Sequence, residues 1–428
     1  MARASSPVVA LRKNLARSIR RGQPWIFRDA LRPPSPPGLT DGTLVTVTTP
    51  DGLPLARGFW DARSAIAVRV IAVGPPAGAP RQPAREPAAL VAERVQAALD
   101  RRLVFIDRRH TDAFRVLHGE ADQLPGVHAD LYGAALSLRF DGAGARAFYL
   151  VGLDLPQAVV AAARRRGITI ASVIERKRRE HGPEREREGG PEPQPEPEGG
   201  GEVGRALVGA LPPDELEVRE NDLLFGVDLA HGQKGGLFLD QRDNRAHVRG
   251  LAAGRRVLNL FGYTGGFSIY AAAGGALHTT TVDVARGAIT AARRNFQRNR
   301  LPLDAAALHA EDAFAFLERA VRERVAYDLV ISDPPSFAPS RKALPAALRA
   351  YRRLHRLCAT VVAPGGILCA ASCSSHASRD DFARTIADGA ADAGRTWVLQ
   401  EMRGAAADHP VTAQFPEGDY LKFAVGRV

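Results

Sequence analysis

The chain has 428 residues, too many for one compact domain, so two or three domains are expected. Hydrophobic residues make up 45% and charged residues 25%, a globular balance that excludes a wholly disordered or fibrous chain. Lys and Arg outnumber Asp and Glu by 58 to 47, and the net charge of +11 favours a polyanionic partner such as nucleic acid over an acidic membrane surface.

The cysteine content is typical of a reducing compartment. The three cysteines, Cys358, Cys369 and Cys373, lie in the last quarter of the chain, and their number and spacing argue against a disulfide framework or a structural zinc site. The N-terminus has no apolar signal segment, and no stretch of about 18 apolar residues could span a bilayer. We therefore predict a cytoplasmic protein without a membrane partner or a metal ion. The oligomeric state, a homodimer included, stays open.

Residues 1–73 predict a small β-rich domain, with alternating runs at 43–48 and 65–71 that are typical of strands. Its opening segment is basic, and residues 1–30 hold seven Arg or Lys against one acid. The segment predicts an RNA-contacting face in which Arg17, Arg20 and Arg21, together with Arg28, contact phosphates. Trp25 has two interpretations, a stacking platform for a base or, with Phe27, a part of the domain core.

A central α/β domain is predicted over residues 89–215, after a Pro/Ala linker at 74–88. A helical pattern covers 90–102, two strands surround the turn at 124–126, and a helix near 155–166 precedes a strand near 168–174. Residues 180–202 contain eight Glu, five Pro and six Gly. Such a tract cannot bury a core, so we predict a solvated insertion loop.

Residues 216–428 alternate strands with helices, a pattern that predicts a doubly wound parallel sheet with ligand sites at the carboxyl ends of its strands. Predicted strands lie at 255–261, 277–284, 306–309, 327–333 and 365–372, followed by two terminal strands. Predicted helices lie at 288–299, 313–322, 344–362 and 379–390.

The loop NLFGYTGGF (259–267) links the first strand to the first helix of this domain. Its three glycines let the backbone turn tightly and approach a ligand. The spacing differs from G-x-G-x-x-G, which argues against a dinucleotide, and no phosphate-binding Lys follows, which excludes a P-loop. The loop residues to which we assign cofactor contacts are Asn259, Phe261, Tyr263, Thr264 and Gly265.

Acidic residues follow the next two strands at the same predicted edge. Asp283 ends the second strand, where a carboxylate can accept hydrogen bonds from both ribose hydroxyls. Glu311 and Asp312 follow the third strand, where a carboxylate can take an adenine amine. Recognition of adenosine without a phosphate cradle indicates S-adenosylmethionine (SAM) as the cofactor. The predicted fold class is therefore α/β, with a Rossmann-like class I SAM methyltransferase domain.

The segment SDPPSF (332–337) ends the fourth strand. Pro334 and Pro335 stiffen the turn and expose carbonyls, Asp333 can receive an exocyclic amine, and Phe337 can stack on a planar base. Such loops occur in enzymes that methylate extruded bases. The plainer alternative is a proline-stiffened strand end.

Cys373 follows the fifth strand, at the same edge. As a thiolate it could attack C6 of a pyrimidine and make C5 nucleophilic enough to take a methyl group. The alternative is a buried small side chain, which we predict for Cys358 and Cys369. No cysteine follows the Asp-Pro pair, where other cytosine enzymes carry one, so methylation of a base nitrogen stays open.

On these residues the sequence resembles the bacterial 23S rRNA large-subunit methyltransferase I family of SAM-dependent cytosine-C5 enzymes. The resemblance implies an N-terminal PUA domain, a central α/β domain and a Rossmann-like methyltransferase domain at 216–428. The matching segments are ARSIRRGQPWIF (16–27), HGEADQLPG (118–126), GGLFLDQRDNR (235–245), NLFGYTGGF, SDPPSF, SCSS (372–375) and FPEGDYLKF (415–423).

The resemblance also implies roles for single residues. Cys373 matches the presumed nucleophile and Asp333 the acid that holds the base. The segment before the first strand would close one side of the cofactor site with Lys234, Phe238, Asp240, Gln241 and Arg242. Two departures are present: Gly235 stands where the family usually has Thr, and the acidic 180–202 tract replaces a short turn.

The sequence thus predicts a SAM-dependent enzyme that forms 5-methylcytosine in 23S rRNA or a large-subunit precursor. One alternative keeps the methyltransferase but moves the methyl group to a purine nitrogen in rRNA. A second is an RNA-binding assembly factor whose methyltransferase domain is catalytically silent. The base that removes the C5 proton is unassigned.

Overall fold

The structure is a computed structural model that describes residues 6–34, 36–75, 85–177, 203–229, 236–338 and 340–428. Lys234, the 180–202 tract and most of the predicted linker lie outside the described residues. The chain divides into two compact units. The first contains the described residues up to 177 with 203–212 and 408–418, and the second contains 213–407 and 419–428.

The first unit begins with a five-stranded sheet in the order β1-β3-β4-β5-β2. Two of its strands confirm the alternating runs predicted at 43–48 and 65–71. Its core is formed by side chains such as Val45, Val47 and Val68, which are all fully buried. The elements are β1 (Val8–Ala10), α1 (Ala16–Arg20), β2 (Trp25–Phe27), a 3-10 turn (Arg28–Ala30), β3 (Leu44–Thr48), β4 (Pro54–Trp60) and β5 (Ile66–Val73).

A second five-stranded sheet in this unit has the order β10-β9-β8-β7-β6. Its elements are α2 (Pro87–Phe105), β6 (Ala113–His118), a 3-10 turn (Gly119–Asp122), β7 (Val127–Tyr132), β8 (Ala135–Phe140), α3 (Ala143–Arg146), a π-helical turn (Ala147–Gly152), α4 (Leu155–Arg165), β9 (Ser172–Lys177), β10 (Val203–Val208) and the 3-10 turn Pro416–Gly418.

Two predicted elements of this region were wrong in detail. The stretch 114–140 forms three strands instead of two, because Gly133 adopts a positive φ of 58° and closes a second hairpin between β7 and β8. The strand predicted near 168–174 begins only at Ser172 and runs to Lys177.

The second unit has a seven-stranded sheet in the order β15-β14-β13-β16-β17-β19-β18, with β19 antiparallel to both neighbours. Its elements are β11 (Leu216–Glu220), β12 (Leu223–Val227), a 3-10 turn (Leu239–Gln241), α5 (Arg242–Leu251), β13 (Arg256–Leu260), α6 (Gly266–Ala273), β14 (His278–Asp283), α7 (Arg286–Arg298), β15 (Ala306–Ala310), α8 (Ala313–Arg322), β16 (Tyr327–Ser332), a 3-10 turn (Arg341–Ala343), α9 (Leu344–Val361), β17 (Val362–Ser372), α10 (Arg379–Asp392), β18 (Val398–Arg403) and β19 (Lys422–Arg427).

This sheet confirms the predicted doubly wound α/β fold. Strands β13 to β17 are parallel, and their side chains alternate between two cores: Val257 and Leu329 lie in one, Leu258 and Val330 in the other. The chain order reverses between β13 and β16, and ligands of such sheets bind in the crevice at that point. The predicted methyltransferase domain included residues 408–418, which the structure assigns to the first unit.

A buried ion pair joins three segments of the second unit. Arg245 of α5 donates two hydrogen bonds to Glu220 of β11, at 2.9 and 2.7 Å, and both side chains are 3% exposed or less. Arg245 also donates to the carbonyl of Phe238, and the Tyr270 hydroxyl of α6 donates to Glu220 at 2.9 Å. The Glu220 carboxylate therefore fixes the hairpin β11–β12, α5 and α6 together.

Replacing Glu220 with Ala should destabilise the protein strongly, because it leaves the Arg245 guanidinium buried without its counter-charge. We expect a loss of about 3–5 kcal/mol in the free energy of unfolding, measured by denaturant titration. Glu217 on the same strand is exposed, and Glu217→Ala is the matched control, with an expected loss below about 1 kcal/mol. Similar losses for both variants would contradict this account.

Candidate cofactor and catalytic site

The loop between β13 and α6 has a strained backbone at the point where the strand order reverses. Phe261 and Tyr263 adopt positive φ angles of 56° and 46°, which non-glycine residues rarely do, and Gly265 has a φ of 83°. A Cβ atom at Gly262 would lie 2.5 Å from Cγ2 of Thr281, so the loop can approach β14 only with glycine there. Strain of this kind persists where the surroundings impose it, and it is common at ligand sites.

Asp283 holds this loop at the end of β14. Its two carboxylate oxygens accept hydrogen bonds from the backbone N–H groups of Tyr263, at 2.8 Å, and Ala285, at 2.9 Å. An ionised carboxylate has about four acceptor positions, so two remain for the predicted ribose hydroxyls. The side chain is half-buried at the predicted edge.

The two acids after β15 already have partners within the protein. Asp312 is the N-cap of α8 and accepts a hydrogen bond from the Ala315 N–H at 2.9 Å. Glu311 forms an ion pair with Arg319 of the same helix. Helix α8 therefore already occupies some of the hydrogen-bond acceptor positions of both carboxylates. The predicted contact with an adenine amine would use the positions that remain.

The side chains of Asn259 and Thr264, at the start and in the middle of the loop segment, are almost fully buried. The Thr264 hydroxyl donates to the carbonyl of Gly236 at 3.2 Å, and the Asn259 amide donates to the hydroxyl of Ser268 at 3.0 Å. Oδ1 of Asn259 has no hydrogen-bond partner among the residues that the structure describes. The site thus combines a strained loop, acceptors on Asp283 and one orphaned buried acceptor, a set that fits an adenosine-containing cofactor such as SAM.

A relay of hydrogen bonds orients Asp333 at the end of β16. Nε2 of Gln241 donates to Oδ2 of Asp333 at 3.0 Å, and Oε1 of Gln241 accepts from Asn244 at 2.7 Å. Oδ1 of Asn244 in turn accepts from Nε of Arg403 at 3.2 Å. Since each amide has one donating and one accepting end, Arg403 fixes the direction of the relay and aims the Gln241 donor at Asp333.

The other predicted residues before β13 differ in their surroundings. Phe238 packs edge to face with Tyr263, the ring centroids 5.3 Å apart, so it covers one side of the loop. Asp240 accepts a hydrogen bond from the Tyr420 hydroxyl at 2.6 Å. Arg242 is 3% exposed and forms an ion pair with Asp243. Its burial argues for a supporting role at the site.

Cys373 differs from the other two cysteines. It is partly exposed and directly follows β17, whereas Cys358 and Cys369 are fully buried. Burial raises the pKa of the Cys358 thiol to about 12 and that of Cys369 further, which keeps both protonated. The core interpretation of these two is confirmed, whereas Cys373 is only partly buried, and its role as a nucleophile stays a prediction.

The proline loop after Asp333 is only partly open. Pro334 is buried, Pro335 is exposed, and Phe337 is half-buried against Tyr351, with ring centroids 4.8 Å apart. Tyr351 therefore covers part of the Phe337 ring. Stacking of a base on Phe337 stays a prediction.

The basic segment of the first unit has an exposed and an internal part. Arg17, Arg20 and Arg21 are exposed on α1 and directly after it. Arg28 instead is half-buried and donates hydrogen bonds to the carbonyls of Asp61 and Ser64, so part of its guanidinium is used inside the protein, and its phosphate contact stays a prediction. These arginines belong to a different compact unit from Cys373.

The two aromatic residues of this segment also differ. Trp25 is half-buried, donates from Nε1 to Glu120 at 2.7 Å and packs edge to face on Phe415 at 4.6 Å, which favours its core interpretation. The core interpretation of Phe27 was wrong, since that side chain is 45% exposed.

Sequence reasoning missed three residues of the second unit that the structure connects to the site. They are Asn244 in the relay, Glu220 in the buried ion pair and Lys422 beside Cys373. Asn244 and Lys422 lie within two of the segments that resemble the family, and this position could have indicated that they matter. Only the hydrogen bonds of the structure show what they contact. In the part of the chain that the structure describes, no group of His, Cys, Asp or Glu is arranged to hold a metal ion, and no helix is both long and apolar enough to cross a membrane.

Comparisons with known proteins agree with this architecture. The model of the S-adenosylmethionine-dependent methyltransferase family matches residues 205–402, and that of a PUA-like domain matches residues 9–72. The ribosomal RNA large subunit methyltransferase I of Tolumonas auensis is 34% identical, with 99% of each chain covered. The ribosomal RNA large subunit methyltransferase of Deinococcus radiodurans is also 34% identical, over 98% of this chain and 97% of that protein. The chain belongs to the ribosomal RNA large subunit methyltransferase I family.

The fold has a solved counterpart. A putative SAM-dependent methyltransferase from Streptococcus mutans superposes with a TM-score of 0.78 at 23% identity, covering 99% of this chain and 100% of that one. The family models and the relatives identify the protein as a SAM-dependent methyltransferase with an N-terminal PUA-like domain, and both predictions are confirmed. SAM is its cofactor, although the contacts that we assign to individual residues stay predictions.

The relay predicts an effect of Asn244 on cofactor affinity. Asn244→Ala removes the donor to Oε1 of Gln241, so the Gln241 amide loses the orientation that aims it at Asp333. We expect the Kd for SAM, measured by calorimetry, to rise roughly tenfold, the equivalent of one buried hydrogen bond. Gln400→Ala, which truncates an exposed amide on β18, should leave the Kd unchanged. An unaltered Kd in a folded Asn244→Ala protein would contradict the relay.

Proposed function

We propose that this enzyme methylates C5 of a cytosine in large-subunit ribosomal RNA, and that Cys373 is the nucleophile. The observation that carries the proposal is the partial exposure of Cys373, which directly follows β17, while Asp333 directly follows the neighbouring parallel strand β16. The two curated relatives described above are named as ribosomal RNA methyltransferases, which supports the substrate class.

The chemistry requires a thiolate because C5 of cytosine is a weak nucleophile. The Cys373 thiolate adds to C6, forming a carbon–sulfur bond and placing the displaced electron pair on the ring, where C5 becomes nucleophilic. After methylation, a base removes the C5 proton, and the electrons of that C–H bond restore the ring double bond as the sulfur leaves. The thiolate is thus regenerated.

Asp333 would orient the base, since a carboxylate can accept hydrogen bonds from the exocyclic amine of cytosine. Gln241 fixes Oδ2 of Asp333, so the carboxylate is oriented before RNA arrives. SAM, when bound, supplies an electrophilic methyl group. We propose that Asp283, the strained loop at 261–265, Phe238 and Gln241 hold it, with further contacts from Asn259, Glu311, Asp312, Asp333 and Arg242.

The exposed arginines of α1 would bind the RNA backbone. Arg17, Arg20 and Arg21 present three cations on one short segment of the PUA-like domain, a density suited to phosphates. The target nucleotide would be extruded to reach Cys373, as in other enzymes that act on a base. The cytoplasm as the location follows from an rRNA substrate and stays part of the proposal.

A second candidate function is methylation of a purine nitrogen in rRNA. The Asp333-Pro334-Pro335 turn, followed by the half-buried Phe337, is the feature that favours it. This reaction needs no cysteine nucleophile. The role of Cys373 therefore separates the two functions.

Methyl transfer to unmethylated rRNA tests the proposal. With labelled SAM and nucleoside analysis, we expect 5-methylcytidine from the wild type and none above background from Cys373→Ala. The control is Cys358→Ala, whose thiol is buried on α9, and it should keep the activity if the variant is folded. A methylated purine, or undiminished transfer by Cys373→Ala, would overturn the C5 assignment.

Substitution of the three arginines tests RNA docking. Arg17→Gln, Arg20→Gln and Arg21→Gln together should weaken RNA binding and reduce the slope of log K against log salt by roughly two to three. The matched control removes three exposed arginines of the other unit, Arg322, Arg356 and Arg384. Equal losses in both triple variants would indicate a general effect of net charge and contradict a docking face on α1.

A further inference from the structure

A buried lysine lies next to Cys373 in the sheet. Lys422 is the first residue of β19, which runs antiparallel to β17, and its Cα is registered opposite Ser372, the last residue of β17. Cys373 follows Ser372 directly. Nζ of Lys422 donates hydrogen bonds to the carbonyls of Ser374 and Tyr420. The ammonium group is therefore held against the turn that carries the Cys373 thiol.

The burial of this lysine is unusual. Lys422 is 2% exposed, and lysines are almost never buried to that extent unless they are paired with an opposite charge. The hydrogen bonds of Nζ go to two neutral carbonyls, those of Ser374 and Tyr420, so they compensate its positive charge only in part.

We propose that the Lys422 ammonium stabilises the thiolate of Cys373, so that Lys422 is a positioning residue which acts through the nucleophile. The relevance of this inference to catalysis rests on the proposed C5 function. The effect of the Lys422 charge on the ionisation of the Cys373 thiol can be measured without RNA or SAM. When the thiol ionises, its proton goes to the solvent, and Lys422 keeps its own proton.

The charged groups around Lys422 are consistent with an ammonium at neutral pH. Burial lowers the Lys422 pKa to about 8, with Asp419 and Cys373 acting in the opposite direction and Arg379 of α10 lowering it. Asp419 is itself paired with Arg379 at 3.0 Å, so its charge is shared. Burial also raises the pKa of Tyr351 on α9, which faces Cys373, to about 12, so Tyr351 is neutral.

The sign of the pH dependence follows from these groups. Below pH 8 Lys422 is mostly protonated and its charge favours the thiolate. As the pH rises through about 8, Lys422 loses its charge and the thiolate loses this stabilisation. The advantage of the wild type over a variant without the charge should therefore be largest near neutral pH.

The test is the rate at which iodoacetamide alkylates the full-length protein as a function of pH. Each event forms a carbon–sulfur bond and releases iodide, and the rate follows the thiolate fraction. Peptide mass analysis identifies the modified thiol, and Cys373→Ala should abolish the reaction. If Cys373→Ala is labelled like the wild type, the reactive thiol is another one and the proposal fails.

Lys422→Gln removes the charge and keeps an amide donor for the two carbonyls. We expect its alkylation midpoint to move up by roughly one pH unit or more, and its rate near pH 7 to fall about tenfold. Lys422→Arg keeps the charge and should retain the wild-type midpoint. Lys342→Gln, an exposed site with the same change in net charge, is the control.

A purely structural role for Lys422 predicts a different result. The unfolding temperature could then fall in both Lys422 variants, but the midpoint of alkylation in Lys422→Gln would stay at the wild-type value, and that outcome would overturn the proposal. Failure of the C5 assignment would appear separately, as a methylated purine in the nucleoside analysis, whatever the alkylation profile.

Discussion

The ion pair between Glu220 and Arg245 is the interaction on which the methyltransferase site depends. Two charges that are buried together stabilise a structure only if their geometry is good and their remaining polar atoms are satisfied. Here both conditions are met, because Arg245 makes two hydrogen bonds to Glu220 and one to the Phe238 carbonyl, and Tyr270 donates to Glu220. The pair therefore fixes the segment before β13 against the helix that follows the strained loop.

That loop in turn has little freedom. A Cβ at Gly266 would lie 3.1 Å from Cδ of Arg245, and one at Gly262 would meet Thr281. These close contacts, together with the hydrogen bond from the Tyr263 N–H to the Asp283 carboxylate, hold Phe261 and Tyr263 at their positive φ angles. The backbone is consequently shaped before the cofactor binds, so less binding energy is needed to order it.

The fold could be predicted from the sequence, since the period-2 and period-3.6 patterns of strands and helices are local signals, and the strand-end motifs indicated at which edge of the sheet to expect the site. The surroundings of single residues could not. Thr264 lies in the predicted loop and Asp312 follows the predicted strand. The Thr264 hydroxyl, however, donates a hydrogen bond to the Gly236 carbonyl, and Asp312 caps the N-terminus of α8. Asn244 and Lys422 gained their significance only from partners distant in sequence, Arg403 and Ser374, which no local pattern specifies.

The same distinction applies to the cysteines. The position of Cys373 after the fifth strand distinguished it from Cys358 and Cys369 in the sequence, but its partial exposure is seen only in the structure. Exposure makes a thiol accessible, but reactivity also requires that the thiolate form be favoured. In this sheet the requirement can be met from β19, because antiparallel pairing with β17 brings a buried ammonium to the strand end that Cys373 follows. Strand β19, which lies between β17 and β18 in the sheet, thus contributes a charge as well as backbone pairing.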